Sequence, residues 1–277
     1  MEPWLIVGAG RVGTQLARAL FLRGLPLAGL VYRSAESQRR AASAVPEQLL
    51  LPLGALPQHE RLLLAVRDGE VFSIASALAA QVGQGGLALH TSGALGPEAL
   101  TPLGEKGWEV GVFHPLVPIP HPTHPPVDFS GAVVTLAGTA EALNAGEKLA
   151  LALDMLPVPC SQLHWPLYHA AATLAGPMLY ALIHAAKQEL QRANFPAPMV
   201  PQALGALAQR ALAYALQAQG WEHLTGPLVR GDRTTMAQHT ASLTPPVAAA
   251  YEALASYVSS SFTGDVPCQG QMPKQAS

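Results

Sequence analysis

The sequence predicts an α/β fold, a doubly wound and mostly parallel sheet followed by an all-α region. Three observations carry this expectation. Short apolar runs without polar alternation recur through the first part of the chain, as in strands covered on both faces. Helical periodicity separates those runs, as the crossover connections of a parallel sheet require. After Cys160 the strand pattern stops, and Ala-rich and Leu-rich helical patterns take over.

Taken in order, Trp4-Leu5-Ile6-Val7 is the first apolar run, and Val12, Leu16 and Leu20 then share one face of a helix that Gly24 ends. Further strands are expected at 27–32, 61–66, 87–91 and 110–113, with helical segments near 69–81. The strands 132–136 and 155–158 flank a helix over 139–153 and complete the sheet. In the last helix Val247, Tyr251, Leu254 and Val258 repeat at helical spacing behind Pro245 and Pro246, where a missing N–H costs nothing. The 277 residues therefore divide into a sheet domain over 1–160, a helical domain over 161–265 and a loosely held tail over 266–277.

Composition excludes several classes of function. Charged residues make up only 12% and the formal net charge is −2, which provides no field for a polyanion, so nucleic acid is not an expected partner. Cys160 and Cys268 stand in no CxxC or metal-ligand pattern. The N-terminal run lacks a basic region and a small-residue cleavage site, which points to the cytoplasm. Residues 155–186 contain no Asp, Glu, Lys or Arg. Yet Pro157, Pro159, Pro166 and Pro177 interrupt them, together with three histidines, so a deeply buried helix is expected there rather than a membrane span.

Gly8-Ala9-Gly10-Arg11-Val12-Gly13 stands between the first strand and the first helix, the context that makes GxGxxG the dinucleotide fingerprint of a Rossmann sheet. Gly8 permits the tight turn, Gly10 leaves room for a pyrophosphate, and Gly13 lets helix and strand approach, while the helix N-terminus offers free N–H donors. A purely structural glycine turn is the alternative. Val66 and Ser92, at the ends of later strands, would border the same crevice. The end of the second strand reads Tyr32-Arg33-Ser34, without the carboxylate that would bond the ribose hydroxyls of NAD. The guanidinium of Arg33 and the hydroxyl of Ser34 suit a 2′-phosphate, so NADP is the expected cofactor unless Arg33 is an ordinary solvated residue.

The motifs His90-Thr91-Ser92-Gly93, His114-Pro115-Leu116, Tyr168-His169-Ala170-Ala171-Ala172 and Gly226-Pro227-Leu228-Val229-Arg230-Gly231-Asp232 follow in this order. With the fingerprint, they resemble the poorly characterised Rossmann-like NADP oxidoreductases whose helical C-terminal domain is related to that of 6-phosphogluconate dehydrogenase. Pyrroline-5-carboxylate reductase is a better-known cousin. The resemblance implies a homodimer formed through the C-terminal helices. Two positions depart from it. Gly176-Pro177 stands where relatives resemble a Ser-Asn pair, and no lysine lies between Lys148 and Lys187, so a lysine general acid is not expected.

Reduction of a small carbonyl or imine needs a proton donor for the heteroatom that gains charge, a role suited to histidine. Of the ten histidines, His90 and His114 end strands at the expected crevice, and His169 lies on the first interdomain helix. For each, a structural histidine satisfied by a backbone partner is the alternative. His114, His121 and His124 lack metal-ligand spacing in a proline-rich connection, and no metal is expected. Arg230, Gly231, Asp232 and Thr235 precede or open a helix, where Arg230 could hold a substrate anion while Asp232 caps the helix. An NADP-binding protein without catalysis, its polar face lost at Gly176 and Pro177, is the alternative to an NADP-dependent reductase.

Overall fold

The computed structural model describes residues 2–54, 59–120 and 125–261. The chain divides into two compact units, Met1–Pro177 and Met178–Ser277. In the first, β1 (Trp4–Val7), α1 (Arg11–Leu22), β2 (Leu27–Tyr32), α2 (Ala35–Ala42), β3 (Leu50–Pro52), β4 (Arg61–Leu64), α3 (Val71–Ala79), β5 (Gly86–His90), α4 (Thr101–Gly104) and β6 (Trp108–Pro115) alternate along the chain. They are followed by β7 (Val133–Gly138), α5 (Ala140–Ala152), β8 (Leu156–Pro159) and α6 (Trp165–Thr173). The strands form one sheet in the order β3-β2-β1-β4-β5-β6-β7-β8, in which only the β6–β7 pairing is antiparallel. The expected doubly wound, mostly parallel sheet is therefore present. The short β3 was missed because three residues ending in Pro52 carry too little pattern to read.

Two buried layers explain the unbroken apolar runs. Trp4, Ile6, Leu30, Leu63, Leu89 and Phe113 pack on one face with Leu16 and Leu20 of α1 and Leu149 of α5. Their neighbours Leu5, Val7, Val31, Leu62, Leu64 and Ala88 pack on the other with Val71, Ala75 and Leu78 of α3 and Leu103 of α4. Successive residues point to opposite faces, so a strand buried on both must be apolar throughout.

The second unit contains α7 (Leu179–Arg192), α8 (Val200–Gln217), α9 (Arg233–Ser242) and α10 (Pro245–Ser261), with α7 packed on α8 and α9 on α10. Among its described residues only Val200 is buried. The units divide at Pro177 rather than near residue 160, because α6 is tied to the sheet through Tyr168 (below). A π-helical turn, Leu174–Met178, joins α6 to α7 with Pro177 inside it. A wider turn accommodates a residue that has no N–H and whose ring crowds the preceding turn.

The expectation of a deeply buried helix across this stretch is corrected. From Trp165 to Ala186 no residue is buried, and Leu167 and Tyr180 are 67% and 76% exposed. The absence of charge reflects an apolar surface, not an interior position in this chain. No described helix is long and apolar enough to cross a membrane. The tail expected over 266–277 lies outside the described residues, as do Cys268, His121 and His124.

Candidate functional site

The carboxyl ends of the parallel strands β1, β4, β5 and β6 are neighbours along one edge of the sheet, and the sequence places its candidate residues there. After β1 the chain turns at Gly8, which has a positive φ of 117°. A Cβ on Gly8 would meet the carbonyl oxygen of Ala65 at 2.5 Å and Val66 Cγ1 at 2.9 Å. A Cβ on Gly13 would stand 2.0 Å from the carbonyl oxygen of Gly8. These two glycines are demanded by packing. Gly10 is different: its φ is −82°, and the nearest atom to a Cβ there would be Ala65 O at 3.8 Å, an ordinary contact. The protein's own packing does not require glycine at position 10, and space outside the backbone stays open. Gly10 also begins α1 without a side-chain cap, and the first turn holds no acidic residue, so early N–H groups remain available to an anion. Ala9 is buried, Val12 half-buried and Arg11 exposed.

At the end of β2, Arg33 pairs through Nη1 with Glu70 Oε1 at 2.7 Å, and this bond holds the Glu70 carboxyl below the ordinary carboxylate range. The Ser34 hydroxyl accepts a hydrogen bond from the Ser37 N–H at 3.2 Å and caps α2. Its expected role toward a phosphate is therefore shared with a structural one.

The three histidines of this edge have distinct surroundings. His90 is fully buried; its Nδ1 accepts from the Ser92 N–H at 3.2 Å, which leaves the proton on Nε2, 2.9 Å from the Gly96 carbonyl. Both nitrogens serve the turn after β5, so the ring has none to offer a substrate. Burial lowers its pKa, keeping it neutral. Ser92 is also buried, and its hydroxyl accepts from the Ala94 N–H at 3.2 Å.

His114 on β6 stands opposite Thr135 of β7 in the antiparallel register. Tyr168 joins them from α6: its hydroxyl donates to Thr135 Oγ1 at 2.8 Å and lies 2.6 Å from His114 Nδ1. With its proton directed to Thr135, the hydroxyl accepts from His114 Nδ1–H, and His114 Nε2 keeps a lone pair. Burial and the neighbouring His169 lower the His114 pKa to about 4. His169 packs edge-on to His114, with ring centroids 6.0 Å apart. Its Nδ1 is buried with no hydrogen-bond partner among the described residues. Gly93 makes the arrangement possible. A Cβ there would stand 2.6 Å from His114 Nε2 and 2.8 Å from His169 Nδ1, so both nitrogens are packed against the Gly93 backbone.

The sequence indicated His114 and His169 individually but missed the Tyr168–Thr135 link, because a register contact between separate motifs leaves no local pattern. In the second unit, Arg230 is exposed and Gly231 has a φ of 65°. Asp232 caps α9: the Thr235 N–H donates to its Oδ1 at 3.0 Å and the Thr235 hydroxyl to its Oδ2 at 2.7 Å. Asp232 therefore caps this helix as the sequence indicated, and its carboxylate engages both the N–H and the hydroxyl of Thr235. No group of three or more metal-binding side chains occurs among the described residues. A hollow of about 630 Å³ is bordered by Glu98, Cys160 and Trp165, and its lining includes neither the glycines of the turn after β1 nor His114 or His169.

Residues 4–115 match a Rossmann-like domain, and residues 132–258 match a domain of unknown function, DUF2520. The two matched stretches follow one another along the chain, in agreement with the resemblance drawn from its motifs. No curated protein sequence matches it. A Bacteroides fragilis protein provisionally assigned as an NADP oxidoreductase is 20% identical, with a TM-score of 0.75 over 92% of this chain and 97% of its own. A reductive aminase from Aspergillus terreus in complex with NADPH and ethyl levulinate is 17% identical, with a TM-score of 0.63 over 93% of each chain. An imine reductase variant from Myxococcus stipitatus in complex with NAD+ is 16% identical, with a TM-score of 0.55 over 95% of this chain and 96% of its own. These likenesses establish a shared fold.

Two predictions follow from the packing. Gly10→Ala should leave unfolding free energy within about 1 kcal/mol of wild type and abolish dinucleotide binding, whereas Gly13→Ala should cost roughly 1–3 kcal/mol or more of stability. Denaturant titration and cofactor fluorescence separate the two effects. The second concerns His114, whose ordinary pKa is 6.5. Between about pH 6.5 and 4 the unfolded chain binds a proton at this residue that the folded chain refuses, so stability is complete above that window and falls as pH is lowered through it. Relative to His114→Gln, wild type should lose roughly 2–3 kcal/mol more between pH 7 and pH 4.5; equal losses would place His114 in water.

Proposed function

We propose that the chain is a cytoplasmic oxidoreductase that passes a hydride between NADP(H) and a small carbonyl or imine compound. The observation that carries this reading is Gly10, the fingerprint glycine whose side-chain space no protein atom claims. An uncapped helix start beside it suits a pyrophosphate. Arg33, at the end of β2 and in place of a carboxylate, favours the 2′-phosphate of NADP. The complexes of the similarly folded reductive aminase and imine reductase with nicotinamide dinucleotides support the choice of cofactor class.

The cofactor supplies the hydride; the protein must hold the acceptor and manage a proton. His169 Nδ1 and His114 Nε2 lie together beside Gly93, and we assign them complementary roles. Because His114 Nε2 carries a lone pair, an Nδ1–H on His169 avoids two lone pairs facing one another. A carbonyl oxygen or imine nitrogen brought up to this pair would accept from His169, and once reduced to O–H or N–H it would also donate to His114. To be the proton donor His169 must carry a proton on both nitrogens, and transfer from Nδ1 leaves the neutral imidazole with its proton on Nε2; the Tyr168–Thr135 link holds His114 in the accepting tautomer. Arg230 is retained as a candidate anchor for an anionic substrate group.

The uncharged surface of α6 and α7 is proposed to pack against a second copy of the chain, since exposed side chains such as Leu167, Leu174 and Tyr180 would otherwise face water. Light scattering should return twice 28.9 kDa at micromolar concentration, and a monomer would contradict it.

The cofactor reading is tested by fluorescence titration with NADPH and NADH. Wild type should prefer NADPH, and Arg33→Ala should lose about tenfold or more of that preference while NADH affinity holds. Equal wild-type affinities would defeat the NADP assignment. With a substrate from a panel of imines and carbonyls, His169→Ala should lower turnover by ~10²–10⁴. NADPH binding without oxidation across the panel would favour the non-catalytic alternative.

A further inference from the structure

Arg33 does not stand free at the end of β2. Its Nη1 is 2.7 Å from Glu70 Oε1, and Glu70 lies just beyond β4 at the start of α3. In the sheet, β1 lies between β2 and β4, so the two strand ends are about 10 Å apart. The ion pair links the segments that follow β2 and β4, the two strands that flank β1, after which the chain turns through Gly8, Gly10 and Gly13. A dinucleotide binding outside the carboxyl ends of the strands runs along this edge. Arg67 adds positive charge beside Glu70.

We propose that Glu70 sets cofactor selectivity as an internal stand-in for the 2′-phosphate, holding Arg33 when NADP is absent and yielding it when NADP binds. This rests on the NADP reading above. The exchange is physically easy, since the side chains are 63% and 32% exposed and a pair in that setting contributes little. A phosphate carries more charge than a carboxylate and offers three acceptor oxygens to the same fork. NAD has no 2′-phosphate and can bind with the pair intact. Glu70 therefore weakens NADP binding and is neutral toward NAD: it moderates the preference that Arg33 creates.

Fluorescence titrations of wild type, Glu70→Gln, Arg33→Ala and the double variant with NADPH and NADH test this. Glu70→Gln should tighten NADPH binding by about twofold to fivefold, with NADH unchanged within twofold. In the Arg33→Ala background, the same change should lose most of its effect, because the two residues act as one unit. If Glu70→Gln weakens NADPH binding or changes both cofactors alike, Glu70 only positions Arg33 and the proposal is overturned. If Glu70→Gln changes neither cofactor, the stand-in role is likewise overturned while the NADP reading stands. If wild type binds neither cofactor, the cofactor reading itself fails and this proposal with it.

Discussion

Both parts of the candidate site depend on backbone approaching where no side chain can stand. The α1 helix begins so close to β1 that a single Cβ at Gly13 would be driven into the carbonyl of Gly8. That approach fixes the direction of the first helix and leaves its N-terminus facing the crevice. Gly93 performs the same service at β5, where a methyl group would collide with His114 and His169 together. Interiors are packed too tightly to absorb such a group without displacing neighbours, so both glycines set the geometry of what surrounds them.

Three histidines on one edge acquire different chemistry from their partners alone. His90 is consumed by the Ser92 amide and the Gly96 carbonyl, and acts as a buried brace for its own turn. His114 is held neutral and in one tautomer by a hydroxyl that is itself committed to Thr135. His169 alone has a buried nitrogen with no partner among the described residues. A buried polar atom left unpaired is costly, and a water or a ligand at His169 Nδ1 would relieve that cost.

The sheet was legible because strands covered on both faces are apolar at every position, and the glycine turn because it follows such a strand directly. Asp232 was legible as a cap because capping is local. The short β3 and the Tyr168–Thr135–His114 link were not, since each depends on which strands become neighbours. The partner of Arg33 was hidden for the same reason: Glu70 is distant in sequence and meets it only through the order β2-β1-β4. The apolar stretch after Cys160 was misread as interior because composition reports that a surface avoids water, not which surface covers it.

A structure of the protein with NADP+ and a bound carbonyl or imine analogue tests the central claim, that His169 and His114 together hold the reacting heteroatom. The result expected is a heteroatom of the analogue about 2.6–3.2 Å from His169 Nδ1, with the His114–Tyr168–Thr135 link intact. Contradiction would be an analogue bound elsewhere while His169 Nδ1 is satisfied by water or by the protein itself.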